Sequence, residues 1–209
     1  MNDVSSCSSL STPYLSLDNM AMSDYPTGYS AKAIEILEAA EIRIRRGGFE
    51  AMSYRDLAAD VGIKAASVHY HFPQKALLGA AVINRYTEKL SKALGPVDLQ
   101  QTTVTEHLQR LCNCYLATVR NEGLICLGCM LGAESRDLPE PVAAAARHFF
   151  TTLIGWMTAV FGDRTDAESL AIHAIGILQG TMILAVTLER PELMIAAGDR
   201  VKQLVMSSE

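Results

Sequence analysis

Residues 53–71, SYRDLAADVGIKAASVHYH, constrain the fold of this chain more than any other stretch. Ser53 opens a short helix as its N-cap, and Asp56 three residues on approximates a capping box. Leu57, Ala58 and Val61 give that helix one apolar face. Gly62 supplies a sharp turn, and a second short helix runs from about Lys64 to His71. Two such helices joined by a three-residue Val-Gly-Ile turn fit a helix-turn-helix.

The flanks read as helix as well. Ile34, Leu37, Ala40 and Ile44 recur at spacings of three and four from about Ser30 to Gly47, where Gly47-Gly48 ends the helix and Phe49 seals the turn. Pro73 suits the first turn of a fourth helix that continues to Leu94 and stops at Gly95-Pro96. Further helices are expected over about 103–121, 126–136, 140–161, 166–188 and 191–206, with breaks near Gly162-Asp163 and at Arg190-Pro191. Few segments show the Val/Ile/Thr alternation of strands, so the expected class is all-α. The expected organisation is a disordered tail over 1–28, a three-helix helix-turn-helix domain over 29–76, and a helical domain over 77–209. The tail is rich in Ser, Thr, Asp and Pro, and Met20 and Met22 inside it leave the start codon open.

The 209 residues carry a net charge of −5, but its distribution matters more than its sum. Residues 1–28 are at −3, residues 29–95 at +3 and residues 96–209 at −5. The only basic portion therefore contains the helix-turn-helix. No window has the ~18 uninterrupted apolar residues of a membrane span; the nearest, His173 to Leu188, is interrupted by Gln179, Thr181 and Thr187. No basic region followed by an apolar run marks the N-terminus, so a cytoplasmic location with the five cysteines reduced is expected.

In a helix-turn-helix the second helix enters the DNA major groove. Here Val68 faces inward, the paired alanines allow close backbone approach, and Lys64, Ser67, Tyr70 and Lys75 can reach phosphate oxygens. His69 and His71, two apart on a helix, point about 200° from one another and cannot readily share a metal ion. The run G-F-x-A-x-S-Y-R-D-L-A-x-x-V-G-I-K-x-A-S-V-H-Y-H-F-x-x-K resembles the N-terminal DNA-binding domain of the tetracycline-repressor (TetR) family over about residues 30–80. The resemblance implies that Ala65, Ala66 and His69 sit against base edges. It places Ser53, Tyr54, Lys64, Ser67, Tyr70, His71 and Lys75 on phosphates. His69 stands where the family commonly has Tyr, so its base preference should differ. Double-stranded operator DNA is the implied partner, and repression the implied mode.

The resemblance also implies a C-terminal signal pocket and a homodimer built on the last two long helices, here Asp166–Leu188 and Pro191–Val205. Gly176 and Gly180 are spaced for close helix approach, or are ordinary core glycines. Phe149, Phe150, Trp156, Met157, Phe161 and Met182 read as core or as pocket lining. The run C-L-G-C-M-L-G-A-E-S-R-D-L, from Cys126, resembles a TetR subgroup in which some members release DNA when the first cysteine is oxidised or alkylated and others answer to ordinary small molecules. Cys126 and Cys129 are thus the effector or redox candidates, with Arg120 and Arg136 as the nearby cations that could activate a thiol. Three alternatives stand beside this one: a thiolate metal site from Cys112, Cys114, Cys126 and Cys129; plain buried cysteines; and a helical metal- or thiol-dependent protein. No nucleophile elbow, phosphate-cradling loop or H-E-x-x-H run points to an enzyme, and neither a cofactor nor a membrane partner is expected.

Overall fold

The computed structural model describes residues 28–206, which form helices and turns with no strand. The tail expected over 1–28 lies, except for Gly28, outside the described residues. The helices are α1 (Ala31–Gly47), α2 (Tyr54–Val61), α3 (Ala65–His71), α4 (Lys75–Leu94), α5 (Val104–Ala117), α6 (Leu127–Ala133), α7 (Glu140–Phe161), α8 (Ala167–Thr187) and α9 (Leu193–Met206). The all-α expectation holds, with an N-terminal helix-turn-helix followed by a helical C-terminal region.

Local chemistry sets the boundaries. Ser30 caps α1 by accepting the Ala33 N–H, and Gly48 ends it at φ 80°, where a side chain would be strained. Gly62 closes α2 in the left-handed region and turns the chain into α3, whose N-cap is Lys64. Asp56 does not reach back to the Ser53 backbone as a capping box requires. Instead Ser53 Oγ accepts the Asp56 N–H at 3.2 Å and donates to its carboxylate at 2.6 Å. A complete capping box forms elsewhere, between Thr103 and Glu106 at the start of α5.

Three spans differ from the expectation. The fourth helix begins at Lys75 rather than Pro73, because Gln74 is extended (φ −128°, ψ 130°) and takes the N-cap position. The fifth is α-helical only to Ala117; its last turn, Thr118–Glu122, widens into a π-turn ended by Gly123 at φ 62°. The sixth narrows from 126–136 to α6, with Cys126 at its N-cap.

α1, α2 and α3 close around Ile36, Leu37, Ile44, Phe49, Leu57, Val68 and Phe72. α4 joins this cluster to the C-terminal region, burying Leu78, Val82, Ile83, Leu90 and Leu94 as it runs along α1 and α7. Its C-terminal carbonyls are taken up by Arg110, which donates to Leu94 O at 2.5 Å, and by Trp156, whose Nε1 donates to Gly95 O at 2.8 Å. α7 packs on α8, α8 on α9, and α9 on α5.

α6 lies close on α7 because its two glycines face aromatic rings. A Cβ at Gly128 would stand 2.2 Å from Phe149, and one at Gly132 would stand 3.0 Å from Phe150. Leu127 and Leu131 are fully buried beside them. Gly128→Ala is expected to cost about 1–3 kcal/mol through overpacking against the buried Phe149 ring, read as a lower urea midpoint.

Candidate functional site

α3 presents a small, polar outer face. Val68 is its one fully buried residue, while Ala65, Ala66, His69 and Tyr70 are exposed and Ser67 and His71 half-buried. Tyr70 is 83% exposed, unusual for a tyrosine in a packed domain. The His69 ring stands edge-on to Tyr54, with centroids 4.4 Å apart, so α2 fixes where this imidazole sits. His71 packs edge-on to Tyr70 at 5.3 Å. Lys64 is exposed at the start of α3.

The other candidates lie around this face with part of their capacity already used. Tyr54 donates its hydroxyl proton to Phe72 O at 2.6 Å, and Ser53 donates its own to Asp56. Both hydroxyls would have to turn outward to donate to a phosphate. Lys75 opens α4, pairing with Glu50 at 2.8 Å and lying 4.7 Å over the Phe49 ring. Arg55, exposed on the first turn of α2 and without an ion-pair partner among the described residues, is a cation the motif did not single out.

The basic excess of residues 29–95 is only partly a surface property. Arg45, Arg85 and Lys89 are buried to within 5%, 3% and 8% exposure, where they meet Glu38, Glu41 and Glu122. Arg45 ties α1 to the connection between α5 and α6. It pairs with Glu122 and Glu41, and its Nε donates to Ile125 O at 2.9 Å. Burial works against its charge, but Tyr86, Glu122 and Glu41 outweigh that and hold its pKa above the ordinary arginine value.

Cys126 lies next to that carbonyl and is buried, 2% exposed. Its backbone N–H donates to the Met182 thioether at 3.1 Å. Gln179 Nε2 reaches the Tyr115 hydroxyl at 2.7 Å and the Cys126 sulfur at 3.6 Å. The Tyr86 side chain borders the same small cavity as this thiol, and burial pushes the pKa of both tyrosines well above the usual phenol range. Gln179 Oε1 is buried without a hydrogen-bond partner among the described residues. A cavity of about 10 Å³, room for one water, lies between Tyr86, Tyr115, Cys126 and Met182. A second, of about 60 Å³, lies across Leu90 against Phe149 and Trp156.

The four described cysteines do not gather at one point. Cys112 faces Gly198 of α9, Cys114 and Cys126 flank the smaller cavity, and Cys129 is half-buried on α6. No three His, Cys, Asp or Glu among the described residues are grouped to hold a metal ion. Arg120 and Arg136, the cations expected beside Cys126, are exposed, while Arg45 of α1 reaches the carbonyl of the preceding residue, Ile125. Sequence spacing could not show this, because Arg45 lies 80 residues from Ile125.

On the outer side of α8, Gly176 and Gly180 are exposed, and a Cβ at either would meet nothing within 4 Å. They are not core glycines. Ile172, Ile183, Leu184 and Leu188 on this helix and its end, and Ile195 on α9, are exposed with them.

The sequence profile of bacterial regulatory proteins of the tetR family matches residues 36–82, from within α1 to within α4. Among curated proteins none matches the chain. Solved structures do. A TetR transcriptional regulator from Legionella pneumophila is 29% identical, with 86% of this chain and 99% of that one covered at a TM-score of 0.77. A TetR-family transcriptional regulator from Agrobacterium tumefaciens is 25% identical, with 82% and 96% covered and a TM-score of 0.76. The reduced form of E. coli NemR shares the fold at 18% identity, 82% and 96% coverage and a TM-score of 0.68. With its helix-turn-helix and its helical C-terminal region, the chain has the fold of these TetR-family regulators, and its residues 36–82 match the profile of the tetR family of bacterial regulatory proteins.

Proposed function

We propose that this chain is a homodimeric, cytoplasmic transcriptional repressor that binds a palindromic operator and leaves it when a small-molecule or thiol-reactive signal arrives. TetR-family regulators are DNA-binding repressors, usually dimeric. The observation that carries the reading here is the outer face of α3, where exposed Ala65, Ala66, His69 and Tyr70 surround the inward Val68. Residues 29–76 act as the reading head, and 77–209 as the sensor and dimerisation part.

Ala65, Ala66 and His69 read base edges, while Ser53, Tyr54, Lys64, Ser67, Tyr70, His71 and Lys75 hold the backbone. Genomic binding-site selection tests this directly. His69→Ala should change the ranking of operators, each lost base contact being worth about 1–3 kcal/mol of discrimination. Lys75→Ala should weaken all sequences alike and reduce the salt slope by about 1. A uniform loss for His69→Ala would end the base-reading role.

The exposed apolar face of α8 and α9 supports a twofold partner, which would set two α3 helices one DNA turn, ~34–36 Å, apart. Leu184→Arg puts a charge into that face and is expected to yield monomers by light scattering, with operator binding lost.

Cys126 and Cys129 are the proposed signal residues, with Cys126 the principal one. Burial holds the Cys112, Cys114 and Cys129 thiols at about 11. At pH 8 only about one in a thousand of each is therefore thiolate. Because Cys126 is buried, a reagent reaches it only when the N-terminal end of α6 opens. Cys126→Ser is expected to abolish release from DNA by N-ethylmaleimide, and mass mapping after a brief pulse at pH 8 should find Cys112 and Cys114 unmodified. Undiminished release from Cys126→Ser would reject Cys126 as the signal residue.

A further inference from the structure

The short helix α6 is tied to the end of α1 at both of its own ends. At the N-terminal end, Ile125 O accepts Arg45 Nε at 2.9 Å. At the C-terminal end, Glu134 Oε2 accepts the Phe49 N–H at 2.8 Å. Its other carboxylate oxygen occupies the space beside the bare Gly48 Cα, where a Cβ would stand 1.8 Å from it. Gly48 therefore meets two demands, a φ of 80° and room for the carboxylate.

The Phe49 N–H begins the short 3-10 turn over Phe49–Ala51, which leads to the N-cap of α2, and an amide in that place has no partner within its own turn. Its hydrogen-bond partner is Glu134. The Phe49 ring is 3% exposed and lies where a Cβ at Gly79 of α4 would be 2.6 Å away, with the Lys75 ammonium over it. From Glu134 a continuous chain of contacts thus runs through Phe49 to the start of α2 and to Lys75. One tie would leave a swivel between α6 and the helix-turn-helix; two ties on one rigid helix fix its orientation.

We propose that Glu134 is a positioning residue for DNA recognition: its carboxylate sets the orientation of the helix-turn-helix relative to the C-terminal region by holding the Gly48–Phe49 corner. The proposal rests on the repressor reading above. Loss of this charge-assisted bond is expected to weaken operator binding about tenfold, equivalent to about 1.4 kcal/mol.

The test uses the full chain and the DNA that the wild type selects. Glu134→Leu should weaken binding about tenfold and speed hydrogen exchange at the Phe49 amide, with the oligomeric state by light scattering unchanged. Glu134→Gln keeps an oxygen acceptor and should restore both readouts to near wild type. Wild-type affinity in Glu134→Leu would overturn the proposal. So would an affinity loss without faster Phe49 exchange, or one that Glu134→Gln shares in full, because each would indicate general destabilisation or a bare charge effect. A wild type that selects no DNA would overturn the repressor reading itself, and this proposal with it; Phe49 exchange would still report whether Glu134 holds the corner.

Discussion

A guanidinium taken out of water has to be met by carboxylates and carbonyls, and the Nε and Nη1 of Arg45 find theirs on three separate elements. Its partners are Glu41 on its own helix, Glu122 in the π-turn after α5, and Ile125 O just before α6. Glu41 in turn faces Arg85 and Lys89 of α4, and Arg85 holds Glu38. Three cations and three carboxylates are thereby shared among α1, α4 and the α5–α6 connection. A buried cluster of this kind adds little net stability over an apolar core, but it is intolerant of losing one member. It makes the end of α1, the middle of α4 and the approach to Cys126 one geometric unit.

The helices were largely legible because their signals are local. Ser30, Ser53, Gly48 and Gly62 act on the backbone within a turn of themselves, and the inward position of Val68 follows from the period of α3. The outer face of α3 followed from the same period. What could not be read was chemistry joining distant positions. The count of basic residues placed all ten cations of 29–95 on one side of the argument, yet Arg45, Arg85 and Lys89 are internal. Ser53 and Tyr54 looked free to donate to phosphate, whereas Phe72 O and Asp56 take their protons. The C-L-G-C-M-L-G-A-E run suggested a cysteine and hid its architecture: Gly128 and Gly132 admit the α7 aromatics, and Glu134 reaches Phe49 across 85 residues.

α8 shows how composition misleads when a helix has two apolar sides. Ala167–Thr187 is the one helix among the described residues long and apolar enough to cross a membrane. One side, with Ala174, Leu178, Met182 and Ala185, lies in the core, and the other carries Ile172, Gly176, Gly180, Ile183 and Leu184 outward. Exposed apolar patches of this sort mark association sites, and the proposed dimer rests on this outward side.

The shortness of α6 has a mechanical consequence. Seven residues span only about 10 Å. A sideways shift of 1 Å at its Cys126 end, about the size of one repacked thioether, is therefore a tilt of about 6°. Passed on rigidly through the two ties to the helix-turn-helix, that tilt would move a point ~17 Å from its pivot, half the ~34 Å spacing of the recognition helices in the proposed dimer, by about 2 Å. That is enough to take a hydrogen bond to a base edge out of range, since such bonds tolerate only a few tenths of an ångström. A long helix at the same place would damp the motion; a short one gears it up.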